Sequence, residues 1–192
     1  MSAHSGQQKH PANWRDFVWI AVIAVAVFAM DMATKVWVAA TMPYRPPIEI
    51  IPGVFYIGYG ENTGIAFGLF QDHGGWLHVI TPLAFLILLY LIYKHFAEVA
   101  MDGWYLVIFG FLVGGAAGNI FDRLTRGYVV DFLDVYIGSF HWPTFNVADS
   151  ALTVGQILLI GKLIFWTRDE EESEPEPVAA ENATSSESQK QA

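Results

Sequence analysis

Four long apolar segments, roughly residues 17–40, 76–93, 104–121 and 147–166, constrain this chain more than any other feature. About 20 apolar residues let a helix cross a bilayer, where every backbone N–H and C=O must find its partner inside the protein. The segments therefore predict four transmembrane helices. The first holds 14 uncharged residues before Asp31 and alone could be the apolar stretch of a secretory signal. The apolar pattern continues past Asp31, however, and three more segments follow. In the third, Gly110, Gly114 and Gly118 recur every four residues, a stripe that lets a neighbouring helix approach closely. The glycine cluster at 114–118 lacks the G-x-G-x-x-G order after a strand, which argues against a nucleotide-binding loop.

The chain carries a formal charge of −9 over 192 residues. From Asp169 onward eight acids against Lys190 account for seven of those charges, so the acidity belongs to a tail rather than to the apolar core. With no basic, aromatic-studded face there is no electrostatic footprint for nucleic acid. Zero cysteines exclude disulfides, thiolate metal sites and a cysteine nucleophile. The six histidines include no i, i+4 pair and no H-E-x-x-H, so no zinc centre is expected.

Four crossings place both termini on one side, and Lys9 and Arg15 favour a cytoplasmic N-terminus. The expected organisation is a polar cytoplasmic leader (1–16), a membrane domain (17–167) and a disordered acidic cytoplasmic tail (168–192), whose composition cannot bury enough surface to fold. Residues 41–75 and 122–146 become the outer connections. Within the first, two β-branched and aromatic runs, 48–51 and 54–59, flank Pro52-Gly53 and predict a small hairpin or sheet at the membrane surface.

Ionisable groups at membrane depth are costly and need a partner, a wet cavity or a job. Here they gather at one level. Asp31 lies roughly 21 Å along the first helix, with Lys35 one turn on; the alternating helices bring Asn119, Asp122, Arg123, Asn146, Asp149 and Ser150 to that same outer layer, beside Asn62 and Asp131 of the loops. Asp31 and Lys35 form a structural i, i+4 ion pair in the favourable order. Asp122 could anchor a helix end, and Arg123 could do likewise or hold a carbonyl or carboxylate. Asn146 could cap the fourth helix, and Asp134 is expected to face solvent from an extended segment.

Asp131 and Asp149 stand apart. One follows an apolar run and the other opens a membrane helix, so two acids that face one another there would share a proton, one accepting from water while the other polarises a carbonyl. Three other readings stay open: a Ser150 nucleophile with Lys35 as base, a proton-coupled transporter using Asp31, Asp131 and Asp149, and a non-enzymatic assembly factor. Against the transporter, the acids cluster at one face. Against the assembly factor, it leaves the paired acids unexplained.

Five ordered blocks carry a resemblance: Asp31 to Lys35 (DMATK), Asn62 to Gly68 (NTGIAFG), Gly114 to Arg123 (GGAAGNIFDR), Gly127 to Phe132 (GYVVDF) and Phe145 to Ser150 (FNVADS). Over about residues 17–166 the chain resembles bacterial lipoprotein signal peptidase, also called signal peptidase II. The resemblance implies a mainly α membrane protein, four transmembrane helices with a small periplasmic β-cradle, in the bacterial inner membrane. It implies an aspartic endopeptidase without a cofactor or metal that removes the signal peptide before a cysteine bearing a diacylglyceryl group. Asp131 and Asp149 match the catalytic aspartates. Asn62, Gly64, Ala66, Asn119, Arg123, Asn146 and Ala148 match the substrate groove, and Asp31, Lys35 and Asp122 match its polar support. The implied partners are lipid-modified prolipoproteins, membrane lipid and globomycin-type inhibitors. The glycines at 64 and 68 suggest a loop that moves to admit substrate.

Overall fold

A computed structural model of the chain describes residues 13–64, 77–98 and 102–166. Residues 1–12 of the leader, the tail, Ala66 and the rest of the expected mobile loop beyond Gly64 lie outside the described residues. Residues 1–157 and 158–192 form two compact units; everything that follows about the site belongs to the first.

Each apolar segment gives a helix. α1 is Trp14–Thr41, α2 Leu77–Glu98, α3 Gly103–Arg126 and α4 Val147–Gly161, the last continuing into a π-helical turn at Lys162–Trp166. Three are long and apolar enough to cross a membrane: Trp14–Thr41, Gly103–Arg126 and Val147–Ile164. The apolar helical stretch Val79–Lys94 is shorter. Large side chains such as Val22, Val25, Leu83, Leu86 and Leu91 are exposed, a surface that suits lipid and not water. α1 starts in a capping box, in which Asn13 accepts from Arg15 N at 2.9 Å and Asp16 accepts from Asn13 N at 2.8 Å. Asp102 accepts from the backbone N–H groups of Trp104 and Tyr105 and starts α3 in the same spirit. α3 ends at Gly127, whose φ of +83° is the left-handed conformation that a helix C-terminus commonly adopts.

The glycine stripe is a packing surface. A Cβ at Gly114 would stand 2.6 Å from the Ala24 carbonyl of α1, and one at Gly115 would stand 2.6 Å from the Ala148 carbonyl of α4. Neither backbone can yield that much, so α3 serves as the slot between its two neighbours.

Between the helices the chain builds one antiparallel sheet in the order β1-β2-β3-β4, with β1 at Ile48–Ile51, β2 at Phe55–Asn62, β3 at Val129–Ile137 and β4 at Phe140–Phe145. The expected hairpin is present, but β2 runs on to Asn62. Residues 122–146 are not a loop: α3 persists to Arg126 and the remainder forms a second hairpin that joins the first through β2 and β3. Pro143 is tolerated because β4 is an edge strand. Val38 and Met42 at the end of α1 pack with Val130 and Phe132 of β3, an apolar joint that fixes the sheet to the bundle.

Candidate active site

The cap of α4 is where the site begins. Asn146 Oδ1 accepts from Asp149 N at 2.9 Å while Asp149 Oδ2 accepts from Asn146 N at 3.2 Å, a reciprocal box that satisfies two orphan donors and holds Asp149 in the first turn. There the positive end of the helix dipole favours a carboxylate. The other half of Asn146 is equally occupied. Its Nδ2 donates to Asp131 Oδ1 at 2.7 Å and to Asn119 Oδ1 at 3.2 Å. Asn119 Nδ2 in turn donates to Asp149 Oδ1 at 2.7 Å, so two asparagines tie the two acids into one network. Asn62, at the end of β2, donates to Asp131 Oδ2 at 2.9 Å.

Beneath this layer Lys35 is fully buried. Its Nζ lies 2.8 Å from Asp31, 3.2 Å from Asp122 and 2.9 Å from Asn119 Oδ1. Asp31 also accepts from Ala148 N at 2.9 Å, and Asp122 from Val130 N at 3.1 Å and Arg126 at 2.7 Å. The expected ion pair is thus one part of a buried cluster that pins α1, α3, β3 and the start of α4 together. Both Asp122 oxygens are committed, one to Arg126, the last residue of α3, and one to Val130 just beyond it, so Asp122 anchors the helix end as well as meeting Lys35. Buried charges persist only when paired and hydrogen-bonded in this manner.

Asp131 and Asp149 open on a common cavity of about 640 Å³. Burial pushes the Asp131 carboxyl up to about 7; the charge of Asp149 adds to the rise, against hydrogen bonds from Asn62 and Asn146 and the charge of Lys35. A carboxyl poised near neutrality can hold or release a proton at working pH, as general acid–base chemistry requires. Asn62, Asn119 and Arg123 also line the cavity, whereas Gly64, Asn146 and Ala148 do not. Arg123 donates to Gly64 O at 2.9 Å and shapes the rim. Sequence reasoning missed the wall that β4 supplies, Trp142 to Phe145, and the polar positions Thr153 and Gln156 on α4; the helical spacing from Asp149 was the available signal for the last two. Ser150 lines the cavity, but its Oγ donates to Asn146 O at 2.9 Å, and Lys35, held by two carboxylates, is no free base. Among the described residues no three His, Cys, Asp or Glu side chains converge as metal ligands.

This geometry has relatives. Residues 23–165 match the family model described as signal peptidase (SPase) II. The chain belongs to the signal peptidase II family. It is 36% identical over 148 residues to a lipoprotein signal peptidase of Serratia proteamaculans, covering 75% of this chain and 83% of the relative. A lipoprotein signal peptidase of Desulforapulum autotrophicum is 38% identical over 160 residues, covering 80% and 96%. A bacterial membrane enzyme solved by the in meso method at 2.3 Å resolution superposes with a TM-score of 0.72 at 30% identity, covering 90% of this chain and 98% of that one. As a signal peptidase II the chain is a membrane protease, and its reaction is the removal of signal peptides from prolipoproteins.

Proposed function

We propose that Asp131 and Asp149 are the catalytic pair of this peptidase, sharing one proton and acting on a water between them. The single observation that carries this reading is that both acids line one cavity and are linked through Asn146 and Asn119. One carboxylate takes a proton from the attacking water while the other, protonated, donates to the scissile carbonyl oxygen; the proton then passes to the leaving amine. Asn62, Asn119 and Arg123 border the substrate groove, with Gly64, Ala66, Asn146 and Ala148 completing or supporting it. Asp31, Lys35 and Asp122 hold its floor.

In this reading α2 is a fourth crossing, both termini are cytoplasmic and the sheet rests at the periplasmic face of the inner membrane. The leader, shortened to the residues before α1, and the 168–192 tail lie outside the peptidase domain. The cleaved bond precedes a cysteine bearing a diacylglyceryl group, whose acyl chains stay in the bilayer and keep the reaction at membrane level. Globomycin-type peptides compete for the same groove.

The test is cleavage of a diacylglyceryl-modified precursor peptide in detergent. Asp131→Asn and Asp149→Asn should each lower kcat by about 10²–10⁴-fold with the protein still folded. Ser150→Ala should retain turnover. Retained activity in either Asn variant would remove that aspartate from the pair.

A further inference from the structure

Asp149 is followed on α4 by Thr153 at i+4 and Gln156 at i+7. These positions share one helix face, and all three side chains line the cavity. The wall around them is apolar, with Leu152 and Val154 alongside and Ile157 exposed just beyond. With its π-helical continuation, α4 is long and apolar enough to span a membrane over Val147–Ile164. On such a helix a threonine hydroxyl can turn back to the carbonyl one turn earlier. The longer Gln156 amide is exposed and has no hydrogen-bond partner among the described residues. A primary amide in that setting is costly unless something polar meets it.

Resting on the aspartyl-peptidase reading above, we infer that Gln156 donates a hydrogen bond to an ester carbonyl of the diacylglyceryl group on the substrate cysteine. Distance selects this acceptor. Asp149 and Gln156 are separated by about 10 Å along the helix axis at 1.5 Å per residue. From the scissile carbonyl carbon, through the cysteine N, Cα, Cβ and sulfur and two glyceryl carbons to the nearer ester carbonyl, there are about eight covalent bonds, spanning roughly 10 Å when extended.

Direction agrees. The acyl chains must remain in hydrocarbon, so the glyceryl unit leaves the scissile bond along the path α4 takes away from the polar layer. An ester carbonyl has no donor of its own in lipid, and a single amide N–H at that depth satisfies both groups. The signal peptide backbone is the poorer match, because wherever it is helical its carbonyls are already bonded internally. Gln156 is therefore a specificity-determining residue. It sets the depth of the lipid relative to the bond being cut.

The experiment compares two precursor peptides in the same detergent, one with ester-linked acyl chains and one with ether-linked chains of equal length, which lack the carbonyl oxygens. The wild-type enzyme should prefer the ester by about 5–10-fold in kcat/KM, the scale of one hydrogen bond, with the difference carried by KM. In Gln156→Met, which keeps the length and removes the donor, that preference should fall towards unity. The wild-type comparison needs no variant, so an absent ester preference there overturns the inference whatever the folding of Gln156→Met. Equal loss on both substrates in a variant with a wild-type melting temperature also overturns it, pointing to packing or to the peptide. If the wild type cleaves neither substrate, the peptidase reading itself fails and carries this inference with it; if it cleaves both equally, only the inference falls.

Discussion

Two aspartates three residues apart on β3 meet opposite fates. Asp131 lies buried between Asn62 and Asn146, its carboxyl pushed up to about 7 by burial and by Asp149. Asp134 projects from the other face of the strand, where it pairs with the half-exposed His141 and accepts from Tyr136 at 3.5 Å; Tyr136 stacks on the His141 ring. Each acid has partners. What separates them is their surroundings: the Asp134 side chain, expected to face solvent, is only 16% exposed, yet it pairs with the half-exposed His141 of β4, while Asp131, in the layer between helices and sheet, accepts only from neutral amides and is expensive and therefore chemically poised.

The largest effect should come from exchanging acids for amides at the two positions. Asp131→Asn should abolish at least about 99% of turnover, whereas Asp134→Asn should stay within about twofold in the same lipopeptide assay; comparable losses would break the contrast. Next comes the floor of the buried layer. Lys35→Met leaves Asp31 and Asp122 facing each other without their shared cation, and should destabilise the fold by about 3–5 kcal/mol in denaturant titrations.

A pH series sharpens the comparison further. Folded Asp131 binds a proton up to about 7, whereas its ordinary value is 3.8, so between these limits the native state holds the extra proton. Its contribution to stability is full below about pH 4 and is lost as pH rises towards 7. The melting temperature of the wild type, measured against Asp131→Asn, should decline across that interval; a flat difference would show that Asp131 titrates normally. Smallest of all, His141→Gln should cost less than about 1 kcal/mol, as exposed pairs do.

Much of this was legible because it is local. The apolar runs specify helices, the Pro52-Gly53 turn specifies the first hairpin, and the positions of Asp31, Asn119 and Asp149 within their segments place them at one depth. The second hairpin escaped because Val129–Ile137 and Phe140–Phe145 have strand-like composition but lie where a connection was expected, and their pairing with β2 is a long-range choice. Asn146 was legible as a cap, yet its contact with Asp131 was not, since that depends on β3 passing over the start of α4.

By itself the sequence determined how many apolar helices form, which polar residues share a level, and, through five ordered blocks, the family. Periodicity and hydropathy act over a few residues and can be read directly. Only the tertiary structure decided that Lys35 serves Asp31, Asp122 and Asn119 at once, that Asn119 and Asn146 tie the two aspartates together, and that β4 walls the cavity. Those choices are made by contacts between residues up to 117 positions apart, such as Ala148 N with Asp31. In a dry interior every such group must find a partner, and only the packed chain determines which one.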